Sequence, residues 1–437
     1  MEERSSNEKE HAGPHVVSKM RVDGFWKESE LFLDFDRHVN FLIGPNGAGK
    51  TTIVNLLSAI LRCDLRALDR IDFHTASLTL ASEASPEESI AIDVSKAQER
   101  QHLLPEINYK ITDHKGQLIA EYSLDEIEER LSIRDPRYYS RRRLLAGNAV
   151  QQKLADMIDL SWLPVHRHDS HPGDRNELGG ESPVDLKLDA QANQLVRYFS
   201  KLDQRSATAF NDFQKSVFLS LLSGQEGPSD LFSASDFDIG RAKDALVPIL
   251  EKFKIQKSRY QSKVDRHFEV LASATEKTSN EGYSSDEVVA MVNQRRIEEV
   301  VKEWKETTTK QAKIYKMRDG FVRILNQMFI NKDVRISATN EIVISVGRDR
   351  PMAMRALSSG EKQLLIIMGQ ALLQDCRPTT FIADEPELSL HVLWQERLVE
   401  CVRELNPAAQ IIFATHSPDI VGKYLDRVID VSKVLAK

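Results

Sequence analysis

An α/β domain built around a phosphate-binding loop is the fold class this sequence predicts, and three segments predict it. The first is Gly44-Pro45-Asn46-Gly47-Ala48-Gly49-Lys50-Thr51, followed by Thr52. It fills every fixed position of the G-x-x-x-x-G-K-[ST] pattern. The second is an apolar run that enters two acids, Phe381-Ile382-Ala383-Asp384-Glu385. The third is Ile411-Ile412-Phe413-Ala414-Thr415-His416, an apolar run that ends at a histidine. Short, continuous apolar runs read as strands covered on both faces, and such strands belong to parallel sheets.

Composition sets the outer limits. The chain has 437 residues, 41% hydrophobic and 29% charged, which suits one large domain or two medium ones with a sizeable core. No run approaches the ~18 apolar residues of a membrane span. Residues 1–15 are polar and lack the apolar segment of a secretory signal, so a disordered tail is expected there. Cys63, Cys376 and Cys401 are far apart and odd in number, which suggests neither a disulfide framework nor a zinc site. A reducing cytoplasm is the expected compartment. The net charge of -7 excludes a protein that coats nucleic acid with its whole surface. Any DNA contact must come from a local patch.

Each motif has a physical reading. Residues 39–43 predict a strand and 52–61 a helix, the context that a phosphate loop requires. Residues Asn46 to Thr52 then form the ATP-binding segment. Its glycines let backbone N–H groups turn toward phosphate, and the helix N-terminus adds a favourable field. Lys50 should reach the outer phosphates, and the Thr51 hydroxyl should ligate Mg²⁺. Asp384 is the second expected Mg²⁺ ligand. Glu385, at the strand tip, is placed to orient or deprotonate water. Upstream, Leu357-Ser358-Ser359-Gly360-Glu361-Lys362-Gln363 precedes an apolar helix at 364–373. The same stretch also reads as a plain helix N-cap with a capping glutamate.

Taken in this order, the motifs resemble the ABC-type ATPases of the RecF/SMC/OLD-like class. The resemblance implies an α/β ATPase head with a mixed central sheet, flanking helices, a small antiparallel sheet and an inserted helical hairpin or subdomain. It also implies that Ser358, Ser359, Gly360 and Glu361 act as a signature that touches ATP held by a second copy. Asp384 and Glu385 would be the Walker B pair, and His416 the switch that senses the γ-phosphate. The implied assembly is a homodimer with ATP between its heads, or a larger ring. Residues 386–391, PELSLH, resemble the same region of RecF-like and OLD-like members. More narrowly, the chain resembles the stand-alone ATPase subunits of the anti-phage systems PARIS (AriA-like) and Septu (PtuA-like). That likeness implies a sensor and scaffold for a separate effector, a nuclease or toxin. OLD nucleases continue past the switch histidine with a nuclease domain, and none is expected here. The alternative is a RecF-like clamp that closes on DNA in repair.

The connecting regions complete the reading. Residues 77–123 predict strands with a hairpin at His114-Lys115-Gly116, 124–158 a helical stretch and 160–165 a strand. Gln151 and Gln152 are open candidates for a nucleotide-sensing glutamine. Residues 169–187 form a polar loop, and His166, His168 and His171 at its start read as solvated rather than metal-binding. Arg137-Tyr138-Tyr139-Ser140-Arg141-Arg142-Arg143 is either a solvated helix face or a phosphate-binding patch. Residues 243–272 and 286–329 have helical periodicity, with Ile297, Val300, Val301 and Trp304 on one face. They predict either a short antiparallel pair of ~30 residues per arm, reaching ~45 Å, or a packed subdomain. A hairpin at 334–345 leads into the signature. The expected organisation is a tail at 1–15, head at 16–168, polar loop and helical lobe at 169–240, helical insertion at 241–330 and head again at 331–437.

Overall fold

The computed structural model describes residues 15–26, 29–82, 88–97, 106–122, 150–164, 182–220, 239–277, 282–347 and 350–436. The Arg137–Arg143 run, the three histidines and most of the expected tail and polar loop lie outside them. The described chain divides into two compact units, one from 1–196 with 320–437 and one from 197–319.

The first unit holds all three sheets. Its centre is a five-stranded sheet in the order β14 (Val428–Asp430), β3 (Val39–Ile43), β13 (Gln410–Ala414), β12 (Thr380–Asp384) and β8 (Leu160–Leu163). Every pairing in it is parallel. β12 and β13 are buried at every residue, and their apolar cores, residues 381–383 and 411–414, fit burial on both faces. A seven-stranded antiparallel sheet runs in the order β15 (Leu435–Ala436), β2 (Ser29–Asp34), β1 (His15–Phe25), β4 (Thr75–Ser82), β5 (Ser89–Ala97), β6 (Glu106–Thr112) and β7 (Leu118–Tyr122). Here β4 alternates buried and partly exposed residues, the mark of a strand covered on one face. The expected pairing of a central sheet with an antiparallel one is present, with β4 to β7 in the antiparallel layer. A third sheet joins β9 (Lys332–Ile336), β10 (Ile342–Val346) and β11 (Arg350–Met352).

Helix α1 (Lys50–Arg62) explains why the two large sheets share a core. Its solvent-facing stripe is Thr51, Asn55 and Arg62. Residues 53, 54 and 56–61 are buried, so its apolar side chains, Ile53, Val54, Leu56, Leu57, Ile60 and Leu61, are covered on more than one side. One cluster accordingly joins these residues to Leu42, Ile382 and Ile412 of the parallel sheet and to Met20, Leu78 and Ile92 of the antiparallel sheet.

The second unit is built from the distal part of α2 (Pro183–Ser220), α3 (Ile239–Lys252), α4 (Lys257–Thr275) and the first part of α5 (Ser285–Met328). Tyr260, Val264, Phe268 and Leu271 of α4 recur on one face and pack with Leu246 and Leu250 of α3 and Met291 of α5. The second unit runs from 197 to 319 and takes in only the distal part of α2, beside the insertion expected at 241–330. One expectation changes here. The helix expected across 243–272 is broken at 253–256. The break is a Schellman cap without glycine: Lys254 adopts φ 55, its N–H donates to Glu251 O, and Ile255 N–H donates to Leu250 O. With lysine in the left-handed position, the sequence carries no stop signal. Two further helices, α6 (Ser359–Leu373) and α7 (Val392–Leu405), belong to the first unit.

Candidate functional site

The site forms where three neighbouring parallel strands end. Leu42 pairs with Ala414, and Ala414 with Asp384, so β3, β13 and β12 finish at one level. The phosphate loop leaves β3, Thr415-His416 leaves β13 and Glu385 leaves β12. Open parallel sheets bind ligands at this edge.

In the loop, Gly47 has φ 82 and Gly49 φ 96, which favours glycine at both positions. Gly49 is the N-cap of α1. Lys50 is the first residue of α1, and its Nζ donates to Gly44 O at 2.9 Å and Pro45 O at 3.3 Å. Burial lowers the Lys50 ammonium pKa, while Glu385, Asp384 and Glu387 oppose the shift. Asn46 and Gly47 are exposed at the loop tip, Ala48 and Thr52 are half-buried, and Thr51 is exposed.

The fold brings the two expected metal-binding groups together: Thr51 Oγ1 donates to Asp384 Oδ1 at 3.3 Å. Burial pushes the Asp384 carboxyl up to about 6, with Glu385 and Glu387 adding to the shift and Thr51 and Lys50 opposing it. A buried carboxyl among other acids is a group whose charge a cation would stabilise. Among the described residues no cluster of three or more His, Cys, Asp or Glu could hold a metal ion. One carboxylate and one hydroxyl suit Mg²⁺ shared with phosphate and water.

Glu385 stands at φ 47, and its N–H donates to Ala414 O at 2.8 Å. That conformation is costly for a non-glycine residue and often marks function. Its Oε1 lies 3.9 Å from His416 Nε2, and both side chains are part-exposed. The expected base and the expected switch are therefore neighbours.

Two residues without an expected role complete the site. Glu387 Oε1 accepts from Thr415 Oγ1 at 2.7 Å, His416 N–H at 2.9 Å and Ser417 N–H at 3.3 Å. It ties the turn after β12 to the histidine turn, and only the fold brings these segments together. Ser417 Oγ continues to Gln395 Oε1 of α7 at 2.6 Å. The second is Trp26, 43% exposed and stacked on Phe25 with ring centroids 4.9 Å apart. A Cβ on Gly49 would fall 2.7 Å from its Cη2. The indole thus lies against the N-cap of the phosphate-loop helix. Nothing in the local sequence around Trp26 signals this contact.

The signature segment is shaped by its own packing. Ser358 caps α6 in a full capping box: its N–H donates to Glu361 Oε2 at 2.9 Å, and its Oγ accepts from Glu361 N–H at 3.3 Å. Glu361 Oε1 meets Lys332 Nζ at 2.5 Å. Burial pushes the Glu361 carboxyl up, but Lys332 and Ser358 outweigh it and the net shift is downward. Ser359 is exposed on the first turn. A Cβ on Gly360 would fall 2.3 Å from Ser389 O. Among the described residues no hydrogen bond links these four residues to the phosphate loop. Gln151 and Gln152 are exposed on the helical run before β8.

A phosphate loop, an acidic strand end and a histidine turn on adjacent parallel strands define a P-loop ATPase head of the ABC type. Residues 64–422 match the family model described as "AAA domain, putative AbiEii toxin, Type IV TA system", and the chain belongs to that family. The match begins beyond the phosphate loop. The chain is 23% identical over 405 residues to "Retron Vc95 probable ATPase" of Vibrio cholerae serotype O1 biovar El Tor, covering 89% of this chain and 67% of that protein. It is 31% identical over 130 residues to "Septu protein PtuA" of Bacillus thuringiensis, covering 26% of this chain and 32% of that protein. An SMC head domain from Thermotoga maritima aligns at a TM-score of 0.38 with 12% identity, covering 93% of this chain and 90% of that one. Among the described residues no helix is long and apolar enough to cross a membrane.

Proposed function

We propose that this chain is a cytoplasmic ATPase that dimerises around ATP and controls a separate effector, a nuclease or toxin, in bacterial anti-phage defence. One observation carries the ATPase reading: Thr51 meets Asp384, and Glu385 meets His416, at the mouth of the loop that holds Lys50. Lys50 and the Asn46–Thr52 backbone bind the phosphates, and the Trp26 indole offers a flat face to the base. Thr51 and Asp384 would hold Mg²⁺, which supplies charge neutralisation at the phosphates when bound. Glu385 orients water and takes its proton, and His416 beside it reads the outer phosphate. Glu387 fixes the His416 backbone.

The dimer rests on a different observation. The first turn of α6 presents Ser359 to solvent, and the capping box secures its N-terminus. Free N–H groups at a helix start suit a phosphate held by a second copy. The defence role is supported by the retron and Septu relatives.

Light scattering of Glu385→Gln with ATP and Mg²⁺ tests the reading. The variant should bind ATP, turn it over slowly and double in mass. Unchanged mass, or turnover at the wild-type rate, would sink the dimer or the role of Glu385, respectively. Co-purification with a stoichiometric nuclease or toxin would support the effector role.

A further inference from the structure

We propose that the corner between α3 and α4, with the adjoining side of α4, is a binding surface for single-stranded nucleic acid. Residues 251–266 carry six cations, Lys252, Lys254, Lys257, Arg259, Lys263 and Arg266, against two carboxylates, Glu251 and Asp265. The whole chain has a net charge of -7, so the local excess runs against the global one. Asp265 is already committed to Lys243 at 2.6 Å and to Gln261. All six cations are exposed, and none forms an ion pair or side-chain hydrogen bond with another described residue.

Their arrangement is linear. Arg259, Lys263 and Arg266 fall within a ~60° arc of α4 at ~100° per residue, beside the apolar face that packs inward. Residues one turn apart stand ~5–6 Å from each other, so the stripe can neutralise successive phosphates of one strand. At its head the Schellman turn presents Phe253, 42% exposed, and Ile255, 38% exposed. The Phe253 ring is backed by Phe210 at 5.9 Å and Trp304 at 5.5 Å between centroids. A packed, half-open ring on the turn that leads into a row of cations offers the pairing that single-strand binders use for base stacking and phosphate contact. An anionic membrane fits less well, because both apolar side chains are more than half covered and the cations form a row rather than a ring around an inserting face. A duplex offers no unstacked base to the ring.

The test is fluorescence anisotropy of the full chain with a labelled oligothymidylate of ~16 nucleotides, titrated at several salt concentrations. Arg259→Glu, Lys263→Glu and Arg266→Glu combined should weaken binding at least ~10-fold and flatten the log–log salt slope by ~2, from ~0.7 per lost contact. The glutamine triple at the same positions should show the same flattening, which guards against a folding artefact. Phe253→Ala should weaken binding without changing the slope. Unchanged affinity and slope in both triples would overturn the proposal. So would tighter binding to phosphatidylserine vesicles, poly-glutamate or duplex DNA than to the oligonucleotide. The residues lie outside the ATP site, so ATP turnover without nucleic acid should be unaltered.

Discussion

Replacing Glu387 by alanine isolates the link between the acidic strand and the histidine turn. The carboxylate accepts three hydrogen bonds through one oxygen. Bonds to a charged group contribute ~1.5–3 kcal/mol each when neither partner can find another. Two of the donors can. His416 N–H is at the surface, and Ser417 N–H already has Thr415 Oγ1 at 2.9 Å. Thr415 is fully buried, so its hydroxyl loses its acceptor outright. The expected loss is ~2–3 kcal/mol, one full charged bond plus part of the others. Glu387→Gln keeps an acceptor oxygen and should cost ~1 kcal/mol. Urea unfolding, followed at the transition of the sheet-bearing unit, measures both. ATP turnover should fall in the same order, because His416 loses its anchor. If Glu387→Ala unfolds within ~0.5 kcal/mol of the wild type, the linking role is wrong. A cycle with Thr415→Val should recover most of the difference, since the orphaned hydroxyl is then gone.

Three other outcomes follow from the same geometry. Lys50→Ala should weaken ATP binding at least ~10–100-fold, measured by equilibrium titration, because a charged phosphate contact is worth ~1.5–3 kcal/mol. Gly360→Ala should destabilise the sheet-bearing unit by ~1–3 kcal/mol in urea unfolding, since its Cβ would meet Ser389 O at 2.3 Å. The Lys277 ammonium, then the Ser284 N–H, pulls the Glu287 carboxyl down to about 2 from 4.5. A depressed carboxyl stabilises the fold above 4.5, and that stability should drain away as pH falls toward 2. Hydrogen exchange of the α4–α5 turn across that range measures it, and Glu287→Gln should flatten the dependence.

The strands and helices around the phosphate loop were legible because their signals are local. Residues 41–43, 381–383 and 411–414 are unbroken apolar runs, as strands buried on both faces require. The α3–α4 break was not legible, because Lys254 takes a left-handed turn that glycine normally announces. The boundary between the two units has no local signal either. α2 is one continuous helix from Pro183 to Ser220, and its periodicity does not change where the chain passes from one unit to the other. Glu387 and Trp26 stood in the sequence without a role, because each acts on a segment that its own neighbours do not reveal.

The sequence by itself determined which groups the candidate site would hold. The spacing of Gly44, Gly49, Lys50 and Thr51 fits the phosphate-loop pattern, and Asp384, Glu385 and His416 lie at or just past the ends of apolar strands. Tertiary structure decided which of these groups meet. Parallel pairing of β3, β13 and β12 in register brings Thr51 to Asp384 and Glu385 to His416, across separations of hundreds and tens of residues. It also decided why Gly360 must be glycine, since the constraint is a carbonyl on another loop. Local sequence encodes backbone preference and burial; convergence of side chains depends on strand order and register, which are set only when the whole core packs.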